Sequence, residues 1–286
     1  MSASQPLIDA ASLRQRLATG QALQLLDCSF DLADAGAGER GFAQGHLPGA
    51  IYLHLDRDLS AAKTGRNGRH PLPTRERFAA SLAARGVRDD AALVVYDGSG
   101  GMYAARAWWM LRWLGHGAVQ LLDGGSAAWV AAGGGLESGT APPPDARSGF
   151  ALRESLVATV DYATLRASLG AAQRLVVDAR APDRFRGENE TLDPVGGHIP
   201  GAQNRLFRDN LGADGRFKPL RQLRGEWQAL LAGRDPSALV MQCGSGVTAC
   251  HNLLALAAIG LDGAALYPGS WSEWCAQPDA VIATGA

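Results

Sequence analysis

The sequence predicts an α/β protein of two tandem halves, each a mostly parallel β-sheet flanked by helices. Three observations carry this. Short apolar runs such as Leu93-Val94-Val95-Tyr96 and Leu239-Val240-Met241-Gln242 alternate with amphipathic stretches of helical length. The elements of the first half recur, in order, in the second. Between them lies Gly133-Gly134-Gly135-Leu136-Glu137-Ser138-Gly139-Thr140-Ala141-Pro142-Pro143-Pro144, which has no apolar periodicity and ends in a stiff, extended triple proline. The expected division is a first domain at 1–134, a linker at 135–155 and a second domain at 156–286.

The recurrence can be followed element by element. Leu7-Ile8-Asp9-Ala10-Ala11-Ser12-Leu13-Arg14 returns as Thr159-Val160-Asp161-Tyr162-Ala163-Thr164-Leu165-Arg166, each opening a short amphipathic helix. Leu25-Leu26-Asp27 returns as Val176-Val177-Asp178, a buried strand ending in aspartate. Gly45-His46-Leu47-Pro48-Gly49-Ala50 returns as Gly197-His198-Ile199-Pro200-Gly201-Ala202. Leu93-Val94-Val95-Tyr96-Asp97 returns as Leu239-Val240-Met241-Gln242-Cys243. Leu121-Leu122-Asp123-Gly124-Gly125-Ser126 returns as Ala265-Leu266-Tyr267-Pro268-Gly269-Ser270, with Trp129 and Trp274 following. The period is too long for a solenoid, so whole domains are duplicated.

Composition narrows the function classes. The 286 residues suffice for two domains with a core each. Apolar residues make up 47% and charged residues 19%, a globular balance. With 27 lysines and arginines against 28 acids there is no basic field, and no nucleic-acid partner is expected. No apolar run reaches the roughly 18 residues of a membrane span, so no membrane partner is expected. Residues 1–17 are polar and amphipathic without the apolar core of a signal peptide, which argues for a cytoplasmic protein. The four cysteines, Cys28, Cys243, Cys250 and Cys275, form no Cys-x-x-Cys pair and no cluster with zinc spacing. They are expected as free thiols, with no metal and no cofactor.

The chemistry concentrates in Gln242-Cys243-Gly244-Ser245-Gly246-Val247-Thr248-Ala249. A buried strand ends at Cys243, two glycines follow, and a helix-forming run continues over 249–259. Such a loop aims successive backbone N–H groups of Gly244, Gly246, Val247 and Thr248 at one point, where the helix dipole adds positive potential. A thiolate there is stabilised, and so is an extra sulfur carried on it as an anionic persulfide. The plainer reading is a buried structural cysteine.

Duplication supplies an internal control, because residues common to both halves serve the fold. His46 and His198 are therefore structural, within turns that glycine and proline account for. Asp97 stands where Cys243 stands, so the first half lacks the nucleophile. Arg180 and Arg184 replace Ser29 and Ala33 and belong to the second half alone; an arginine beside the Cys243 loop can bind an anion through a forked hydrogen bond, or serve in an ion pair. Cys28, Cys250, Cys275, His251 and the run Trp108-Trp109-Met110 with Trp113 are read as packing.

Together these residues resemble the two-domain rhodanese-type sulfurtransferases over nearly the whole chain. The loop from Cys243 to Ala249 is similar to that of 3-mercaptopyruvate sulfurtransferases, whereas thiosulfate-preferring members carry Arg and Lys where this chain has Gly244 and Ser245. Asp178-Ala179-Arg180, Arg184-Phe185-Arg186-Gly187, the two Gly-His-x-Pro-Gly elements and Asp123-Gly124-Gly125 also match. The resemblance implies two tandem rhodanese-like domains and a two-step transfer. The Cys243 thiolate takes sulfur from a small donor, 3-mercaptopyruvate or thiosulfate, and passes it from the persulfide to a thiol, cyanide or a thioredoxin-like acceptor. It further implies a relay of Asp56, His70 and Ser245, and Arg184 as a donor-binding residue. Because Asp56 and His70 belong to the first half, it places the site between domains. One position departs: Asp193 stands where the family carries a second arginine, nine residues beyond the one matching Arg184. A carboxylate donor loses one fork there, which keeps thiosulfate as an alternative donor.

Two other classes compete. A cysteine phosphatase needs an arginine to clamp phosphate about six residues after its cysteine, where this chain has Ala249. A non-catalytic sulfur- or partner-binding module, as the first half suggests for itself, is opposed by the intact Cys243 loop.

Overall fold

The apolar runs become strands buried on both faces, the condition of a parallel sheet covered by helices. The computed structural model describes residues 5–140, 149–171 and 174–286, and the part of the expected linker at 141–148 lies outside the described residues. The chain divides into two compact units. The first comprises Met1–Ser60, Pro73–Leu156 and Ala213–Arg216; the second comprises Ala61–Leu72, Val157–Gly212 and Phe217–Ala286.

The first unit runs β1 (Leu7–Ile8), α1 (Ala10–Ala18), β2 (Leu23–Asp27), α2 (Ala37–Gln44), β3 (Ile51–Tyr52), α3 (Arg75–Ala84), β4 (Ala92–Tyr96), α4 (Ala104–Trp113), β5 (Val119–Leu122) and α5 (Gly125–Ala131). Its strands pair in parallel in the order β1-β5-β4-β2-β3. The second unit runs β6 (Ala158–Thr159), α6 (Tyr162–Ala167), β7 (Leu175–Asp178), α7 (Pro182–Arg186), β8 (Gln203–Asn204), α8 (Leu220–Leu231), β9 (Leu239–Gln242), α9 (Ala249–Ala258), β10 (Ala265–Leu266) and α10 (Ser270–Trp274). Here the order is β6-β10-β9-β7-β8, again parallel. Each unit is thus a five-stranded parallel sheet flanked by helices, the α/β architecture expected.

The shared residues perform the same local task twice. Asp9 and Asp161 cap α1 and α6, accepting from the N–H of Ser12 (2.8 Å) and Thr164 (2.7 Å). His46 stacks on Phe42 and His198 on Phe185, in both cases with ring centroids 3.8 Å apart and planes 6° from parallel. Their Nδ1 atoms lie 2.7 and 2.9 Å from the carbonyl oxygens of those same phenylalanines. Asp27 and Asp178 accept from the N–H two residues on, Ser29 and Arg180. Trp108 and Trp109 are buried in α4, and His251 in α9 is stacked on Phe217 at 4.7 Å.

The backbone corrects one equivalence read from the sequence. Ser126 N–H donates to the carbonyl of Asp97 (3.2 Å), and Trp271 N–H donates to the carbonyl of Cys243 (3.0 Å). Asp97 and Cys243 do correspond, but Ser126 therefore matches Trp271, and Ser270 occupies the place of Gly125. Both adopt positive φ, 57° at Gly125 and 54° at Ser270. A one-residue slip hid this because Gly124-Gly125-Ser126 and Gly269-Ser270 align equally well by letter.

Candidate active site

β9 lies at the centre of its sheet and pairs with β7 so that Gln242 stands beside Asp178. Cys243 and the Arg180–Arg184 segment therefore leave the carboxyl ends of adjacent strands, the edge at which open parallel sheets bind ligands. A cavity of about 530 Å³ lined by Arg174, Arg234 and Ser237 opens near the opposite ends of these strands, where Leu175 and Leu239 begin, and is not part of this site.

The loop after Cys243 is held by the start of α10. Cys243 N–H donates to Ser270 Oγ (3.1 Å), and Ser270 Oγ donates to the carbonyl of Tyr267 (3.0 Å). The carbonyl of Gly244 accepts from Ser272 N–H (2.9 Å). Gly246 has φ +75°, and a Cβ there would lie 2.2 Å from the carbonyl oxygen of Pro268, so glycine is required. Val247 and Thr248 lead into α9, their carbonyls accepting from Cys250 and His251. The Cys243 side chain is buried in this turn.

The corresponding loop of the first unit is filled by its own carboxylate. Asp97 accepts from the backbone N–H of Ser99 (2.7 Å), Gly101 (2.9 Å), Tyr103 (2.8 Å) and Ala104 (2.9 Å). The anion-binding character of this strand–loop–helix turn is thus visible in one unit as a bound aspartate, and the second unit puts a cysteine at that place.

Ser245 and His70 meet. Ser245 Oγ lies 2.8 Å from His70 Nδ1, and both side chains are buried. His70 arrives on the segment Ala61–Leu72, which precedes the expected boundary at 134 yet belongs to the second unit. Gly68, at φ +86°, passes so close to Gly269 that a Cβ would sit 2.8 Å from its carbonyl oxygen. Arg69 N–H donates to Ser272 Oγ (3.0 Å). Asp56 lies in the first unit, where its N–H donates to Nδ1 of His54 (3.1 Å).

The two arginines specific to the second half part company. Arg180 is buried, its guanidinium forked onto Asp178, donating to the carbonyl of Gly197 (2.6 Å) and lying 4.6 Å over the ring of Trp271. It is an ion pair within the core. Arg184 donates through Nε and Nη2 to Glu190 (3.0 and 2.8 Å) and reaches Asp193 through Nη2 at 3.4 Å. Asp193 also pairs with Arg69. A Cβ on Gly244 would meet Arg69 Nη2 at 2.7 Å and Arg184 Nη2 and Nη1 at 3.6 and 3.7 Å, so both guanidinium groups lie against the Cys243 loop. Burial pushes Glu190 up, but the hydrogen bonds from Arg184 prevail and hold it below its ordinary value. At Asp193 burial prevails over the Arg69 hydrogen bond, and its carboxyl is pushed up. Arg69, Ser270 and Ser272 were not singled out from the sequence; only the position of Arg69 beside His70 could have pointed to it.

The remaining thiols have packing roles. Burial pushes Cys28 well above its ordinary value, and Cys275 to about 11. Cys250 Sγ lies 3.3 Å from the carbonyl of Gly246, along the helix from the reactive turn. Among the described residues no group of three or more His, Cys, Asp or Glu is arranged to hold a metal ion, and no helix is long and apolar enough to cross a membrane.

The rhodanese-like domain family matches residues 9–132 and again 161–277. A Pseudomonas aeruginosa protein named "Probable 3-mercaptopyruvate sulfurtransferase" is 50% identical over 100% of both chains. The human 3-mercaptopyruvate sulfurtransferase is 39% identical over 93% of this chain and 90% of its own. Among solved structures, an Escherichia coli protein described by the rhodanese fold and catalytic mechanism of 3-mercaptopyruvate sulfotransferases superposes with a TM-score of 0.81, at 30% identity, over 94% of this chain and 99% of that one. With both sheets, both loops and both family matches in place, the chain belongs to the rhodanese-like domain family, as a tandem pair of such domains.

Proposed function

We propose that the protein is a sulfurtransferase that moves sulfane sulfur from 3-mercaptopyruvate to a thiol or cyanide acceptor through a persulfide on Cys243. The observation that carries this reading is the Ser245–His70 hydrogen bond at 2.8 Å, two residues from a buried cysteine in an anion-binding turn. In the first step the Cys243 thiolate attacks the donor sulfur. The S–S bond forms as the donor C–S bond breaks, and the electron pair passes to carbon as the enolate of pyruvate. The proton of the transferred S–H group ends on that carbon, leaving pyruvate and an anionic persulfide. In the second step an acceptor thiolate attacks the outer sulfur, and Cys243 leaves as thiolate. Ser245 and His70, hydrogen-bonded at 2.8 Å, relay that proton. The loop of Gly244, Gly246, Val247 and Thr248 stabilises the persulfide anion as the Asp97 loop holds its carboxylate, and Arg184 contacts the donor. Asp56 enters from the family resemblance alone, as the acid behind His70.

On this reading residues 156–286, with the segment 61–72, form the catalytic domain, 1–134 otherwise form a non-catalytic copy, and 135–155 link them. The cytoplasm, a reducing compartment, would keep Cys243 a thiol between turnovers, and a thioredoxin-like protein would serve as acceptor there. A thiosulfate-preferring enzyme is the second reading, favoured by the aspartate at position 193. In that case the same thiolate takes the outer sulfur and sulfite leaves. Steady-state turnover of the two donors decides: the first reading expects kcat/KM to favour 3-mercaptopyruvate, and the reverse order supports the second.

A further inference from the structure

Each half lends a short arm to the other unit: Ala61–Leu72 belongs to the second and Ala213–Arg216 to the first. Asn67-Gly68-Arg69 and Asp214-Gly215-Arg216 are equivalent within these arms. Each follows the edge strand of its own sheet, β3 or β8, and precedes a helix, α3 or α8, and Gly68 and Gly215 both adopt positive φ, 86° and 74°. The two arms are fastened differently. Arg216 N–H donates to Asp214 Oδ1 (3.2 Å), a turn closed within the arm itself. Arg69 N–H donates instead to Ser272 Oγ (3.0 Å), on α10 of the second unit. Because Ser126 matches Trp271, the residue of the first unit that matches Ser272 is Ala127, which has no hydroxyl. The same subtraction that isolates Cys243 therefore isolates this hydroxyl as a feature of the second unit alone.

We propose that Ser272 is a positioning residue that sets His70 against the Cys243 loop. Its hydroxyl accepts from Arg69 N–H and donates to the carbonyl of Gly269 (3.2 Å), while its backbone N–H donates to the carbonyl of Gly244 (2.9 Å). A hydroxyl has one hydrogen to give and lone pairs to accept with, so a single side chain serves both of its bonds. Ser272 is 8% exposed, and a Cβ on Gly68 would lie 3.2 Å from its Oγ, so the arm runs directly against the hydroxyl. One residue thus ties the turn that carries the nucleophile to the arm whose next residue is His70. The 2.8 Å approach of His70 Nδ1 to Ser245 Oγ depends on both ends of that tie. This rests on the sulfurtransferase reading above and adds to it how the proton-carrying pair is kept in register. Ser272 acts through His70 and carries no proton in the reaction itself.

Ser272→Ala removes the hydroxyl and keeps the N–H that holds Gly244. It is expected to lower kcat with 3-mercaptopyruvate by about 10-fold with KM little changed, less than the roughly 10²-fold that a 1 Å misplacement can cost. Ser272→Thr, which keeps the hydroxyl, should retain most of the rate. Wild-type kcat in Ser272→Ala would overturn the proposal. In a His70→Ala background Ser272→Ala should have no further effect, because the residue it positions is gone, and a second loss of the same size there would also overturn it. NMR of protein labelled at its histidine rings separates the proposal from the reading it rests on. The His70 ring signal, identified by its absence from His70→Ala, is expected to move in Ser272→Ala as it does in Ser245→Ala, with those of His46 and His198 unmoved. An unmoved His70 signal overturns the proposal even if turnover falls, and a moved one supports it even if the wild-type protein transfers no sulfur.

Discussion

Ser245 Oγ and His70 Nδ1, 175 residues apart in the chain, lie 2.8 Å from each other beside Cys243. The pair gives the turn a hydroxyl and an imidazole that can exchange a proton. The two donor classes need this differently. 3-Mercaptopyruvate leaves as a carbanion equivalent that must be protonated, whereas thiosulfate leaves as sulfite, already a stable anion. His70→Ala and Ser245→Ala are each expected to slow transfer from 3-mercaptopyruvate by on the order of 10²-fold, the low end of general acid–base contributions, and from thiosulfate by much less. Single-turnover rates with both donors check this; equal losses would mean that the pair only shapes the loop.

Ser270 holds the nucleophile's backbone at a cost. It is a buried, non-glycine residue at φ +54°, where its counterpart is Gly125, and its Oγ bridges Cys243 N–H and the carbonyl of Tyr267. Left-handed backbone at such a residue costs about 1–3 kcal/mol. Ser270→Ala keeps that cost and leaves the Cys243 N–H without its acceptor, a further loss of about 1–3 kcal/mol. Ser270→Gly removes the backbone cost along with the bond. Denaturant titrations should place Ser270→Ala below both wild type and Ser270→Gly, and indistinguishable alanine and glycine variants would contradict this account.

Acid stability should report on Glu226. Burial pushes its carboxyl up, but hydrogen bonds from Arg205, Lys218 and Gln222 prevail and hold it at about 2, below its ordinary 4.5. A depressed folded-state value means the stabilisation is complete above the unfolded value and is lost as pH falls from about 4.5 through about 2. Glu226→Gln should therefore flatten the decline of Tm across that window. An unchanged slope would show that the cluster contributes nothing to acid sensitivity.

Much of the fold was legible because duplication repeats the local chemistry. Aspartates capping α1 and α6, the histidines stacked on Phe42 and Phe185, and the aspartates closing β2 and β7 each act within a few residues of sequence, where pattern reading works. Cys243 was legible for the same reason, since strand, glycine turn and helix are contiguous. The rest of the site depends on distant partners. Arg69 and Asp193 are 124 residues apart, and no periodicity connects them. Arg180 and Arg184 look alike in sequence, yet one is buried over Trp271 and the other faces Gly244; only the path of the chain after β7 separates them. Ser270 escaped because a left-handed serine leaves no mark on composition, and because the glycines preceding Ser126 and Ser270 allowed two registers.

The central claim is that Cys243 carries the sulfur. It is tested most directly by incubating the reduced protein with 3-mercaptopyruvate without an acceptor, blocking thiols, and mapping the modified cysteine by mass spectrometry. The account predicts a mass gain of one sulfur atom on Cys243, lost on adding an acceptor thiol with release of the transferred sulfur, and absent from Cys243→Ser. A gain on Cys28, Cys250 or Cys275 instead, or pyruvate formation undiminished in Cys243→Ser, would contradict it.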